Sequence, residues 1–334
     1  MKKFVNDVNN MLTESLSGFA KAHADLVTLQ LNPNYLTRQT KATNKVAIIS
    51  GGGAGHEPLH AGFIGKGMLD AACPGQVFTS PTPDQMMAAA EAVQADKGVL
   101  FIVKNYAGDV MNFEMAAEML SIENATVLIS DDCAVINSSF TDGRRGVAGT
   151  VIVEKCVGSI AETGADLQTC KALGDKINAR TASIGVALRS CTVPAAGKPT
   201  FEISETEIEM GVGIHGEPGR KREKMRAADA MIKDMIGAIL TDLRLTDLAH
   251  IKGTEILLLV NGLGATPLME LYLIYNTAEK LLTEHGLKIE RSLVGNYTTA
   301  IEMTGASITV CVLDDEIKQH WDSPVQTAGL RWGV

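Results

Sequence analysis

The side chains best equipped for chemistry sit at the ends of apolar runs. Val46–Ile49 leads through Ser50 and Gly51-Gly52-Gly53 into Ala54, Gly55 and His56-Glu57-Pro58. Gly98–Val103 leads into Lys104-Asn105-Tyr106-Ala107-Gly108-Asp109, and Glu255–Val260 leads into Asn261-Gly262-Leu263-Gly264. A fourth cluster, GVGIHGEPG (211–219), surrounds His215 with glycines and places Glu217 and Pro218 after it. An imidazole, with an ordinary pKa of about 6.5, serves as nucleophile or base near neutrality. Glycine lets the backbone turn sharply and leaves room for a small ligand. In open α/β sheets ligands collect beyond the carboxyl ends of strands, so polar groups in these loops point to a shared cleft. The alternatives are a glycine turn before a helix, with His56 as a helix-start residue, and a surface-loop position for His215.

Other chemistries lack their residues. No stretch supplies G-x-x-x-x-G-K-[ST], whose lysine and hydroxyl handle phosphate and magnesium. The dinucleotide pattern G-x-G-x-x-G fails because its third glycine position holds His56 or Pro58. There is no G-x-S-x-G elbow. Asp131-Asp132 and Asp314-Asp315 offer paired carboxylates for a metal, but adjacent acids after a strand more often cap helices or line solvated turns. The basic run Arg220–Arg226 (RKREKMR) reads as a solvated loop or a first helical turn. His23, His250, His285 and His320 lie in ordinary helical or polar contexts, and His60 is ambiguous.

Composition sets bounds on these readings. The chain has 334 residues, 46% hydrophobic and 21% charged, as in ordinary globular proteins. A formal charge of −9 offers no basic field for nucleic acid. The N-terminus, MKKFVNDVNN, is too polar for a signal peptide, and no apolar run has membrane-spanning length. Six scattered cysteines without a C-x-x-C pair suit reduced, buried thiols. A cytoplasmic protein is expected.

Strand, loop and helix alternate, which predicts an α/β fold. The spacing of Phe4, Val8, Met11, Leu12, Leu16 and Phe19 predicts a helix over 3–22. Strands are expected at 46–49, 98–103, 126–130 and 255–260, with helices at 84–93, 112–120, about 149–179, 227–243 and 267–285. A strand-rich stretch opening near Ser183 and two closing strands predict a second unit. The expected architecture is two α/β domains, residues 1–182 carrying the glycine loop, Lys104 and Asp109, and residues 183–334 carrying His215. Post-strand loops would feed the cleft between them.

Eight motifs, in this order along the chain, carry a resemblance: SGGGAGHEP (50–58), FTSPTPD (78–84), KNYAGD (104–109), GRRGVAGT (143–150), CTVPAAGKP (191–199), GVGIHGEPG (211–219), NGLGATP (261–267) and WDSPVQT (321–327). The chain resembles the substrate-binding K subunits of bacterial, phosphotransferase-dependent dihydroxyacetone kinases. That resemblance implies a homodimer in which His215 adds to the ketone carbon of dihydroxyacetone as a hemiaminal. Asp109 would take the proton of the attacking hydroxyl, His56 would orient the substrate and assist proton transfer, and Lys104 would donate to a substrate oxygen. Gly53, with Ala54 and Gly55, would bring backbone to the ligand; many relatives have serine at position 54. It further implies no cofactor in this chain, with ADP and Mg2+ on a partner L subunit that a phosphotransferase-system subunit recharges. A chain ending at Val334, without the nucleotide-binding domain of single-chain relatives, fits that type. The alternative is a K-like paralogue that binds the ketone and co-activates a transcription factor without catalysis.

Overall fold

The computed structural model describes residues 2–93, 96–135 and 141–334. The chain begins with α1 (Met11–Ala22), β1 (Val27–Gln30), β2 (Tyr35–Arg38), β3 (Ala47–Ala54) and β4 (Ala71–Val77). It continues through α2 (Pro83–Val93), β5 (Val99–Lys104), α3 (Ala107–Met119), β6 (Asn124–Ile129), α4 (Gly149–Glu162) and α5 (Leu167–Ala179). The second half holds β7 (Thr181–Arg189), β8 (Glu207–Met210), β9 (Lys221–Lys224), α6 (Ala228–Asp242), α7 (Leu248–Ile251) and β10 (Glu255–Gly262). It closes with α8 (Leu268–Glu284), β11 (Lys288–Gly295), β12 (Thr304–Val312), α9 (Asp315–Asp322) and the two-residue strands β13 (Val325–Gln326) and β14 (Arg331–Trp332).

Two six-stranded sheets organise these elements, in the orders β1-β2-β4-β3-β5-β6 and β11-β10-β12-β7-β8-β9. In the first, β4, β3, β5 and β6 are parallel, and the β1–β2 hairpin adds antiparallel at the edge. The second is mixed, with only β10 and β11 parallel. The chain leaves β3 toward β4 and leaves β5 toward β6 on the other side. The connections therefore diverge at the carboxyl ends of β3 and β5, which opens a crevice there.

Helices α4 and α5 lie between the sheets, in one core that takes side chains from both. Along β10, Leu257 and Leu259 enter that core while Ile256, Leu258 and Val260 face the core under α6 and α8. Burial on both faces explains why EILLLV is apolar without interruption. Helices α2 and α3 cover the outer face of the first sheet. The tail crosses back: α9 packs on α4, and Gln326 bridges to Lys66 in the first half.

Several expectations need revision. The first helix starts only at Met11, because Phe4 finds nothing to pack on and is fully exposed. The predicted 149–179 helix is two, broken where Gly164 takes a positive φ of 82° and Asp166 caps α5 by accepting from Thr169 N. Helix α3 begins five residues earlier than predicted, so Asp109 lies in its first turn. The middle of the basic run at 220–226, Lys221–Lys224, forms the edge strand β9 where a loop or helix turn was expected. The chain closes on a helix and a hairpin after the two expected strands. Asp314 does cap a helix, accepting from Ile317 N.

One local packing feature is testable. Gly158, in mid-α4, presses on the backbone of Met68, and a Cβ there would run into the Met68 Cα and carbonyl. Alanine normally improves a helix interior by about 1 kcal/mol, and Gly237 in α6 has open space around it. Thermal melts should show Gly237→Ala stabilising by about 0.5–1 kcal/mol and Gly158→Ala destabilising by about 1–3 kcal/mol.

Candidate active site

Strand β3 does not stop at Ser50. It runs through the three glycines to Ala54, so these residues serve close packing rather than a turn. A side chain at Gly51 would strike the Cys73 carbonyl, one at Gly52 would meet Lys104 Nζ, and one at Gly53 would overlap the Phe78–Thr79 backbone. The turn itself falls at Gly55, with φ 100°. Beyond it His56 is fully buried, its ring stacked on Phe78 with centroids 5.0 Å apart. His56 Nδ1 donates to the Thr299 carbonyl at 2.7 Å. The loop holding Thr299 is fixed in turn by Asn261, whose Oδ1 accepts from Tyr297 N and Thr298 N at 2.8 Å each. The Asn261 cluster thus stands one step behind the site instead of lining it.

His215 enters from the β8–β9 loop, 159 residues away in sequence, and its Nε2 lies 3.0 Å from His56 Nε2. Phe78 and Tyr106 meet its ring edge-on, at centroid distances of 5.0 and 4.6 Å. Glu217 clamps it from the other side, accepting from His215 Nδ1 at 2.8 Å and from His215 N at 2.9 Å. The loop is tied down by Arg145, fully buried, which pairs with Asp132 and donates to Gly211 O at 2.7 Å and Pro218 O at 3.3 Å. Asp131 accepts from Val147 N, Gly149 N and Ser183 Oγ, joining the start of α4 to β7. Both acids at 131–132 are therefore structural. No group of three or more His, Cys, Asp or Glu placed to hold a metal occurs among the described residues.

The hydrogen bonds settle where one proton lies. His56 Nδ1 faces a carbonyl and His215 Nδ1 faces a carboxylate, so both nitrogens carry hydrogen. Two bare Nε2 atoms would then confront each other, and one shared proton must sit between them. Burial first, then the nearby His215 and Lys104 charges, pull the His56 pKa well below its ordinary value. His56 Nε2 is accordingly the accepting side of the contact, and His215 Nε2 the donating side.

His215 lines a cleft of about 660 Å³ together with Gly53, Ser80, Tyr106, Gly108 and Asp109, and His56, fully buried, stands directly behind it. Asp109 Oδ1 and the Tyr106 hydroxyl are buried there without a hydrogen-bond partner. Lys104 Nζ lies one layer back, 3.9 Å from Asp109 Oδ2, 2.8 Å from His60 Nε2 and 3.4 Å from Gly51 O. Ala54 borders a second cavity of about 410 Å³ beneath α1, and Gly55 N donates to Glu57. The structure thus brings Gly53, His56, Asp109 and His215 together, with Lys104 directly behind. Sequence reasoning missed Glu217 as a partner of His215, although it stands two residues on. It had no signal for Phe78, Tyr106 or Arg145, whose roles depend on contacts across the fold. All six cysteines are buried and free.

Comparison with known proteins identifies the family. Residues 17–329 match the Dak1 domain family. The chain is 48% identical, over the whole of both chains, to the dihydroxyacetone-binding subunit DhaK of the PEP-dependent dihydroxyacetone kinase of Escherichia coli. It is 47% identical to the corresponding PTS-dependent kinase 1 subunit of Listeria innocua, with 95% of each chain covered. Among solved structures, it is similar to a dihydroxyacetone kinase operon co-activator, with TM-score 0.87, 33% identity, and 93% and 96% of the two chains covered. It also resembles the dihydroxyacetone kinase of C. freundii, with TM-score 0.85 and 32% identity, 99% of this chain covering 60% of that one.

Glu217 supplies a pH test. Burial pushes its carboxyl up, but the His215 charge and hydrogen bond and the Arg145 guanidinium outweigh that and hold it down at about 2, against an ordinary 4.5. A depressed carboxylate adds stability above its unfolded pKa and loses it as pH falls through the folded one. Between pH 4.5 and about 2, the melting temperature should therefore fall more steeply in the native protein than in Glu217→Gln.

Proposed function

The chain belongs to the Dak1 family, and we propose that it is the dihydroxyacetone-binding subunit of a phosphoenolpyruvate-dependent dihydroxyacetone kinase, as its relatives are. Dihydroxyacetone is held covalently on His215 as a hemiaminal while its terminal hydroxyl is phosphorylated. The observation that carries this reading is the 3.0 Å contact between His215 Nε2 and His56 Nε2, beside an Asp109 oxygen with no partner.

The steps balance. His56 takes the Nε2 proton of His215 and frees a lone pair, which adds to the keto carbon as the C=O π bond opens. The carbonyl oxygen becomes an alkoxide and receives that same proton back from His56. His215 ends as an N-substituted imidazolium, and Glu217 stabilises its charge through Nδ1–H. A covalent test on a carbonyl separates dihydroxyacetone from glycerol, which has the hydroxyls but no electrophilic carbon. Asp109 Oδ1 then accepts the proton of the hydroxyl that attacks phosphorus, a general-base role. The Tyr106 hydroxyl is a further partner for a substrate oxygen. An ammonium has three hydrogens; His60 and Gly51 take two from Lys104, leaving one for Asp109 or the ketone.

The phosphoryl group comes, in this reading, from a partner L subunit carrying ADP and Mg2+, recharged by the phosphotransferase system. Transfer of this kind is mainly positioning and charge stabilisation, so donor and acceptor sites can be split between two proteins. A homodimer is part of the same proposal. The operon co-activator, similar to this chain at 33% identity, makes a non-catalytic ketone binder the second reading. Only turnover separates the two.

Intact-protein mass spectrometry with dihydroxyacetone should show one added ketone per native chain and none on His215→Ala. Asp109→Asn should keep the adduct yet lose product formation by about 100-fold or more when mixed with L subunit, phosphotransferase components and phosphoenolpyruvate. Native protein that forms the adduct and no product would favour the co-activator. Absence of any adduct would remove the covalent mechanism.

A further inference from the structure

Behind the cleft lies a line of buried groups that neither catalysis nor simple packing explains. Lys104 Nζ lies 2.8 Å from His60 Nε2, and His60 Nδ1 lies 2.6 Å from Glu154 Oε1 and 2.9 Å from Ser50 Oγ. Every member is shut away from solvent: Lys104, Glu154 and Ser50 are 0% exposed and His60 5%. The groups come from four places in the chain, β3, the loop after it, β5 and α4. Gly52 makes the assembly feasible, since any side chain there would occupy the place of Lys104 Nζ.

The donors and acceptors order themselves. An ammonium only donates, so His60 Nε2 accepts and the imidazole hydrogen sits on Nδ1. Ser50 Oγ spends its own hydrogen on Ile102 O at 2.7 Å, which leaves Glu154 Oε1 as the near acceptor of Nδ1–H. This is a carboxylate orienting an imidazole that orients a third group. The third group here is the lysine beside Asp109.

We propose that Glu154 and His60 are positioning residues that hold Lys104 in place and in its charged form against Asp109 Oδ2, leaving Oδ1 free for the substrate hydroxyl. The proposal rests on the reading of Asp109 as base for phosphoryl transfer. Burial lowers the Lys104 pKa, while Asp109 and Glu154 raise it. The groups facing the ammonium are Asp109 from α3, His60, Glu154 through His60, and His56, whose pKa its charge lowers. Burial also pushes the Glu154 carboxyl up, against the pull of Ser50 and of the Lys104 charge, and a proton leaving Lys104 has Glu154, across His60, as its acceptor. Moving that proton to Glu154 gives an amine at Lys104 with the net charge unchanged, and raising the pH removes it from the whole set. A glutamine at 154 keeps the shape but carries no charge and accepts no proton.

The test is the pH dependence of kcat and KM in the reconstituted system with dihydroxyacetone. In folded Glu154→Gln the alkaline limb of kcat should move to lower pH by about one unit, as expected for loss of an opposing charge. The activity deficit should therefore be about tenfold larger above that limb than below it. His60→Asn leaves Lys104 an amide oxygen but cuts the link to Glu154. It should shift the limb the same way, with the double variant shifting no further than either single change. If Glu154→Gln fails to melt cooperatively, His60→Asn alone decides. A uniform loss of activity with the limb unmoved overturns the relay and leaves a structural role. Native protein without turnover removes the Asp109 reading and the relay's purpose with it; turnover with an unmoved limb removes the relay alone.

Discussion

A strand end without side chains is the constraint on which the rest of this protein depends. Gly51, Gly52 and Gly53 each face a neighbour at a distance no Cβ would tolerate: the Cys73 carbonyl, the Lys104 ammonium and the Phe78–Thr79 backbone. Bare backbone at the carboxyl end of β3 lets Lys104 lie flat behind the strand. It lets Phe78 approach far enough to stack on His56, and it leaves Gly53 at the edge of the cleft. Because β3 sits where the connections of the first sheet diverge, that same strand end opens onto a crevice instead of onto another strand.

The second half of the chain supplies the other wall, and it is held by charge where the first is held by contact. Arg145 leaves the first half to bind the backbone of the His215 loop at Gly211 and Pro218, with Asp132 as its counterion. A buried guanidinium is costly unless it is paired and hydrogen-bonded, and here two carbonyls and a carboxylate between them face all of its nitrogens. Thr299 and Asn261 do the corresponding work on His56. Two imidazoles from opposite halves are thus brought to 3.0 Å, each with its Nδ1 already committed. That commitment leaves a single proton between the two Nε2 atoms and gives the pair its acid–base direction.

Much of this was legible in the residues. The apolar runs at 98–103 and 255–260 are strands because both of their faces are buried, and helices α2, α6 and α8 fall within a residue or two of their expected limits. Other features were not. The glycines at 51–53 read as a turn because periodicity cannot distinguish a bend from a strand pressed against neighbours. The break at Gly164 falls in a short polar stretch, Glu162 to Asp166, and helical spacing of the apolar residues before and after it bridged the gap. His60 looked ambiguous for a good reason: its partners, Lys104 and Glu154, lie 44 and 94 residues away.

By itself the sequence determined the kinds of groups available and their local settings: bare backbone before His56, a glycine-framed His215 with Glu217 two residues on, and an acid following the second buried strand. These are properties of neighbours along the chain, set by backbone freedom and by the alternation of apolar and polar residues. Only the tertiary structure decided which nitrogen faces which, that Asp109 keeps one oxygen unpartnered, and that Lys104 lies behind the cleft instead of in it. Hydrogen-bond geometry and burial depend on atoms brought together from remote parts of the chain, and a linear order of residues does not carry those distances.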